Sequence, residues 1–279
     1  MIGWLLALPA LAVMAVGFLW PIGLLFRISL NRTDDIGAMQ PDLSAGTYAK
    51  LLADDLLPGL ALDTLVLAAG CAAAAVALAF PVALAIRAAP PRWRGPLALA
   101  AVAPLLVSGT ARVIGWLAIL GDSGTINALL DLAGLPPQRL INNWAGVRIG
   151  LTESLMPYAV LVLLAGLGRL DPRLEDAAAT LGAGRTRTFL SVTLPLAMPA
   201  LAAAFALTLV LGASAFITPR LMGGGRVFVV ATEIFDLALQ TVDWPAAAAM
   251  AMLLLATLAA AMLLRALLPR TLSDDGPAR

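Results

Sequence analysis

Six apolar stretches dominate this chain, at roughly 4–26, 60–86, 97–120, 148–168, 195–215 and 245–268. A bilayer core about 30 Å thick is crossed by roughly 20 mainly apolar residues in a helix. Each stretch meets that length. Lipid offers the backbone no hydrogen-bond partner, so each is expected to be helical. The expectation is an all-α polytopic membrane protein with about six transmembrane helices, in one membrane domain over residues 1–279. Composition agrees: 61% of residues are hydrophobic and 13% are charged, against about 45–50% and about 25% in soluble domains.

The first stretch is longer than a signal-peptide core and no basic residue precedes it, so it reads as a retained helix. An even number of spans puts both termini on one side of the bilayer. The distribution of Lys and Arg decides which side. The loops after spans two and four, with the final tail, hold Arg87, Arg92, Arg94, Arg169, Arg173, Arg185, Arg187, Arg265, Arg270 and Arg279. The opposite loops are longer in total but hold only Arg27, Arg32, Lys50, Arg139, Arg220 and Arg226. The first group, and both termini, are therefore expected in the cytoplasm. Trp4, Trp20, Trp93, Trp144 and Trp244 fall near span ends, as an interfacial aromatic belt requires.

Several chemistries are closed off. His is absent, which excludes a His-dependent triad, an HExxH zinc site and a His proton relay. The lone Cys71 excludes an intramolecular disulfide and leaves no Cys-based metal set. A net charge of +1 makes no electrostatic case for nucleic acid. No Gly-x-x-x-x-Gly-Lys-Ser/Thr phosphate loop is present. The glycines of "MGGGR" at 222–226 have no Lys after them and read as a turn. With no clustered catalytic set either, the chain is expected to be no enzyme and to carry no cofactor or metal of its own.

The loops on the outer side are elaborate. Segment 27–59 carries Asp34, Asp35, Asp42, Asp54 and Asp55. Segment 121–147 reads as a turn, a short helix and a Pro stop. Two readings stand for such loops: a docking surface, or short helices lying at the membrane.

The least apolar part of the chain is "DPRLEDAAATLGAGRTRTFLSVTLPLAMP" at 171–199. Leu170, Leu174, Ala177, Ala178 and Leu181 recur at the spacing of one helical face. Asp171 suits the helix start and Pro172 its first turn, and Glu175 and Asp176 favour the helix dipole. Gly182 stands where the helix should stop, because Gly accepts a left-handed cap cheaply. A second short helical piece follows, with Arg185, Arg187, Phe189 and Val192. A flat surface helix on lipid is one reading. The other is a small apolar ridge ringed by charge that fits a groove on a partner protein.

On these residues the chain resembles ABC-importer permeases. "DAAATLGAGRTRTFLSVTLPL" is similar to their cytoplasmic loop with its Glu-Ala-Ala core and later Gly. Asp176 occupies the Glu position, Ala177 and Ala178 the Ala pair, Leu181, Gly182 and Ala183 the Leu-Gly-Ala, and Leu194 and Pro195 the Leu-Pro. Asp for Glu departs from the pattern but keeps the charge. Glu175 beside it offers a second acid, so either could serve. Further matches, "ARVIGWLAILGDSGTINALLDLAGL" and "SAFITPRLMGGGRVFVVATEIFDLALQTVDWPAAAAMA", resemble the spermidine/putrescine branch, in particular its first membrane subunit.

The resemblance implies a type I ABC-importer (MetI-like) permease fold in a bacterial inner membrane. It implies a coupling loop at 169–194 that docks on an ATPase. It also implies two ATPase subunits that bind the ATP, a second permease that in this branch is a related but different chain, and an extracytoplasmic solute-binding protein. Its substrate would be a small solute such as a polyamine. The contrasting class is an ATP-independent secondary transporter. Against that class stand few charges within the spans, the absence of His, and no evident pair of broken helices.

Charges inside spans are costly and usually face a cavity or a partner. Arg112 in span three, with Trp116, is a structural or a gating residue. Glu153 in span four either pairs with Arg148 or faces the substrate pathway. Asp63 reads as a cap or interface residue at the start of span two. Asp236 and Asp243 are expected to meet water or a docked binding protein.

Overall fold

The computed structural model describes residues 2–34, 39–40, 42–171 and 173–267, the side chains of 2–7 and 264–267 excepted. Asp35, Pro172, Arg270 and Arg279, with the side chains of Trp4 and Arg265, lie outside the described residues.

The chain is helical almost throughout. α1 (Ile2–Met14) runs through a π-helical turn (Ala15–Leu19) into α2 (Trp20–Ser29). Two short strands, β1 (Arg32–Thr33) and β2 (Met39–Gln40), pair antiparallel. Then come α3 (Gly46–Leu52), α4 (Leu56–Ala88), α5 (Pro91–Val102), a 3-10 turn (Ala103–Leu106), α6 (Gly109–Leu120), α7 (Thr125–Leu132) and α8 (Trp144–Leu167). After α9 (Arg173–Thr180) and α10 (Arg185–Thr188), a π-helical turn (Phe189–Thr193) leads into α11 (Leu194–Ala213). α12 (Ile217–Met222), α13 (Val230–Leu239) and α14 (Trp244–Leu267) complete the described residues.

Among the described residues, six helical segments are long and apolar enough to cross a membrane: Leu8–Ser29, Leu56–Ala88, Gly109–Leu132, Trp144–Leu167, Arg185–Ala213 and Trp244–Leu263. The number matches the sequence reading, but three boundaries do not. Span two begins at Leu56 rather than at 60, because the Asp54 carboxylate accepts the Leu56 N–H at 2.9 Å. Asp63 therefore lies inside α4, exposed, and caps nothing. Span three is not continuous over 97–120. Pro104 has no N–H to give, the helix tightens to a 3-10 turn around it, and Val107 is extended at φ −96, ψ 137. Helix resumes at Gly109, so the expected run 97–120 is broken where no break was expected, and the third segment starts only after the break. Span five begins at Arg185, because the second short helical piece flows through the π turn into α11 without interruption.

The residues group into two compact units, 1–60 with 230–279, and 61–229. In the first, α14 packs on α2, α3 and α13. The buried Ser29 hydroxyl bonds the Tyr48 hydroxyl at 2.7 Å, and Thr47 donates to the Asn31 carbonyl at 3.0 Å. Asp243 caps α14 by accepting the Ala246 N–H at 3.1 Å, and takes the Thr33 hydroxyl at 2.6 Å. One carboxylate oxygen of Asp243 is thus engaged within the fold, while the residue itself is half-buried.

The second unit is built on α4, α8 and α11. Ala68, Ala72, Ala75, Ala79 and Ala83 of α4 are completely buried. They recur every three or four residues, so one small-residue stripe lets neighbouring helices close in. Val76, Ala79, Ala83 and Ile86 pack with Ala159, Val160, Leu163 and Leu167 of α8, and with Ala197 and Ala204 of α11. α8 and α11 come so close that a Cβ on Gly166 would overlap that of Ala200. This core holds the helices that carry the site described next.

Candidate functional site

The segment after α8 folds as its residues dictate. Asp171 Oδ1 accepts the Arg173 N–H at 2.9 Å and starts α9. The helix stops at Gly182, whose φ is +83. There the Gly182 N–H reaches the Ala179 carbonyl at 3.0 Å, and the Ala183 N–H reaches that of Ala178 at 3.0 Å. These two bonds are the Schellman arrangement, which requires a left-handed residue and so favours Gly.

α9 has two unlike faces. Leu174 is 46% exposed, Ala177 is exposed and Leu181 is 88% exposed, so a short apolar ridge stands uncovered. Glu175 and Ala178 turn the other way and are half-buried. The Glu175 carboxylate receives the Arg87 guanidinium at 2.9 Å and the Thr193 hydroxyl at 3.0 Å, both on Oε1. Arg87 ends α4, and Thr193 ends the π turn that feeds α11. One carboxylate thus ties α9 to two spans. Phe189 of the same turn lies against Phe80 of α4, with ring centroids 6.1 Å apart. Behind α9 lies a cleft of about 740 Å³, lined among others by Arg87, Arg94, Glu175, Asp176, Ala183 and Arg185.

Of the candidate coupling residues, Asp176 is exposed, Leu194 is half-buried and Pro195 is exposed at the start of α11. Sequence reasoning did not find Arg87 or Thr193. Both are ordinary residues at their own positions, and only the packing of distant segments brings them to Glu175.

The intramembrane candidates come together differently. Arg112 on α6 donates to Glu153 on α8 at 3.3 Å. Of the two readings of Glu153, the pairing with Arg148 gives way to this one, because α6 lies against α8 and brings Arg112 within reach. Trp116 follows Arg112 by one turn and is half-buried.

The family model for the binding-protein-dependent transport system inner membrane component matches residues 77–273, most of the chain and both sites. The chain belongs to this family. It is a multi-pass inner-membrane permease subunit of an ABC importer. A spermidine/putrescine transport system permease protein, PotB, of Haemophilus influenzae is 32% identical over 60% of this chain and 59% of its own length. The protein of that name from Escherichia coli is 28% identical over 89% of this chain and 87% of its own length. In three dimensions the chain resembles a permease chain in the crystal structure of a bacterial alginate ABC transporter in complex with an alginate pentasaccharide-bound periplasmic protein. The TM-score is 0.79, with 17% identity, covering 99% of this chain and 96% of the other. At that identity the likeness establishes the fold alone.

Proposed function

We propose that this permease carries a polyamine such as spermidine or putrescine inward, delivered by an extracytoplasmic binding protein. Two ATPase subunits bind and hydrolyse the ATP, and a second, related permease completes the pathway. Both termini are cytoplasmic, which puts α9 on the ATPase side. The names of its curated relatives support the substrate. The observation that carries the coupling role is the uncovered ridge of Leu174, Ala177 and Leu181 on a helix strapped to two spans by Glu175.

The strap supports a division of labour between the two acids. Glu175 faces inward and transmits force to α4 and α11. Asp176 faces outward and meets the ATPase. Leu181, Gly182 and Ala183 hold the ridge at its angle, while Leu194 and Pro195 hand the motion to span five. When ATP closes the ATPase dimer, α9 moves as a rigid lever and the spans pass between inward-open and outward-open states. ATP binding shifts that balance by favouring one of the two states.

The test is affinity capture of the tagged chain in mild detergent, paired with uptake of labelled spermidine by cells holding the complete system. Co-purification of an ATPase, a second permease and a binding protein, with uptake abolished by an inactive ATPase, is expected. Spermidine uptake that persists without ATP hydrolysis would sink the coupling role.

A further inference from the structure

The Arg112–Glu153 pair has features that a purely structural ion pair lacks. Glu153 lies about 14 Å along α8 from Trp144, at roughly 1.5 Å per residue, and so well inside a hydrocarbon core of about 30 Å. Charges there persist when fully paired or functional. This pair is incompletely made. It has a single contact at 3.3 Å, with side chains 15% and 26% exposed, whereas Arg–carboxylate bonds are about 2.7–2.9 Å and often paired in a fork. Arg112 Nε and Glu153 Oε2 are both buried and without a hydrogen-bond partner among the described residues. A donor and an acceptor that could satisfy each other stand unjoined. Such an arrangement is costly unless another partner takes a place in it.

The geometry points to an exchangeable ion pair, in which Glu153 receives a protonated amine of the substrate and Arg112 is the resident cation that the amine displaces. The inference rests on the polyamine reading above and names the residues that recognise the amine. An ammonium supplies up to three N–H donors, enough to engage both carboxylate oxygens, including the Oε2 that Arg112 leaves open. The exchange keeps one cation beside Glu153 before and after, so the carboxylate is never stranded in low dielectric. Arg112 has somewhere to go. It lies in the first turn of α6, just after the break at Val107 and Ser108, where a small reorientation of the helix swings the guanidinium away. Trp116 lies one turn on at i+4, a spacing that lets a guanidinium cover an indole face. Without substrate, Arg112 closes on Glu153 and bars the path.

Labelled spermidine uptake in cells holding the complete importer tests this, with membrane levels of the chain followed by immunoblot. The wild type is measured first: absence of both spermidine and putrescine uptake would overturn the polyamine reading, and this inference with it. Given wild-type uptake, the neutral double variant R112Q/E153Q is expected to accumulate normally yet lose about tenfold or more of its uptake, as removal of a charge-assisted bond to substrate predicts. R112Q alone is expected to raise substrate-free ATP hydrolysis per amount of chain by at least about threefold, because the bar is gone while the acceptor remains. The swapped variant R112E/E153R is expected to accumulate but not transport. Wild-type uptake by the neutral or swapped variant would show a structural pair and overturn the proposal. If the double variants fail to accumulate, R112Q decides: raised substrate-free ATP hydrolysis per amount of chain supports the exchange, and hydrolysis at the wild-type level overturns it.

Discussion

Two Arg–Glu pairs in the same unit behave as opposites. Arg87–Glu175 closes at 2.9 Å, and the Thr193 hydroxyl joins the same carboxylate. Arg112–Glu153 closes at 3.3 Å and leaves a buried atom unpartnered on each side. The better-made pair is the more exposed, at 19% and 38% against 15% and 26%. Burial alone would favour the reverse, since incomplete pairing costs more where dielectric is low. On the proposals above, the difference separates a strut from a latch. A strut joins segments that must move together, so its bonds are satisfied. A latch must open, so part of its bonding is left free for the incoming partner.

The largest effect that would break this comparison is on the strut. Glu175→Ala leaves Arg87 unpaired and frees α9 from both spans. A loss of about 1–3 kcal/mol is expected, discounted for its partial exposure, together with at least about tenfold less uptake. The swap Arg87→Glu with Glu175→Arg should restore uptake to within about threefold, as a structural pair allows. A swap as inactive as Glu175→Ala would mean that Glu175 itself contacts a partner, and the contrast with Arg112–Glu153 would fall.

Gly182→Leu comes next. A side chain in the left-handed conformation costs about 1–2 kcal/mol, and the ridge would lose its fixed end. Uptake should fall severalfold while the amount of chain in the membrane stays the same. Normal uptake at normal abundance would remove the stop from the coupling argument. Asp176→Asn is milder, since the side chain is exposed. It should weaken ATPase capture by about threefold to tenfold with no change in thermal stability. A fall in stability instead would place Asp176 with the strut.

The smallest effect lies in the other unit. Burial raises the pKa of Glu233 above the ordinary carboxylate range, and the charges of Asp236 and Asp54 add to it. A raised folded-state pKa means that the folded state binds its proton more tightly. Stability is then greatest below the unfolded pKa and declines as pH rises through the folded one. Glu233→Gln should raise the melting temperature by about 1–2 °C at pH 7 and leave it unchanged at pH 4. An equal rise at both values would point to packing rather than charge.

Much of the coupling segment was legible before any coordinates. Its apolar spacing marked Leu174, Ala177 and Leu181 of the ridge, and Gly182 marked the stop, because both are local; Leu170 and Ala178, expected on the same face, are half-buried instead. Hydrophobic length likewise identified six spans, since lipid penalises any backbone that is not internally bonded. The break in span three was hidden because an apolar run reads the same with or without a kink, and Pro104 is compatible with either. The boundary of span five was hidden because the π turn lets a polar helix continue into an apolar one.

The sequence by itself determined that the chain crosses the membrane, where α9 begins and ends, and which residues bear charge in costly places. Only the tertiary structure decided which charges meet. Arg87 and Glu175 are 88 positions apart, and Arg112 and Glu153 are 41 apart. No local pattern links residues at such separations. Their pairing follows from helices drawn together by small side chains such as Gly166 and Ala200, and a contact of that kind is a property of the packed unit rather than of any one segment.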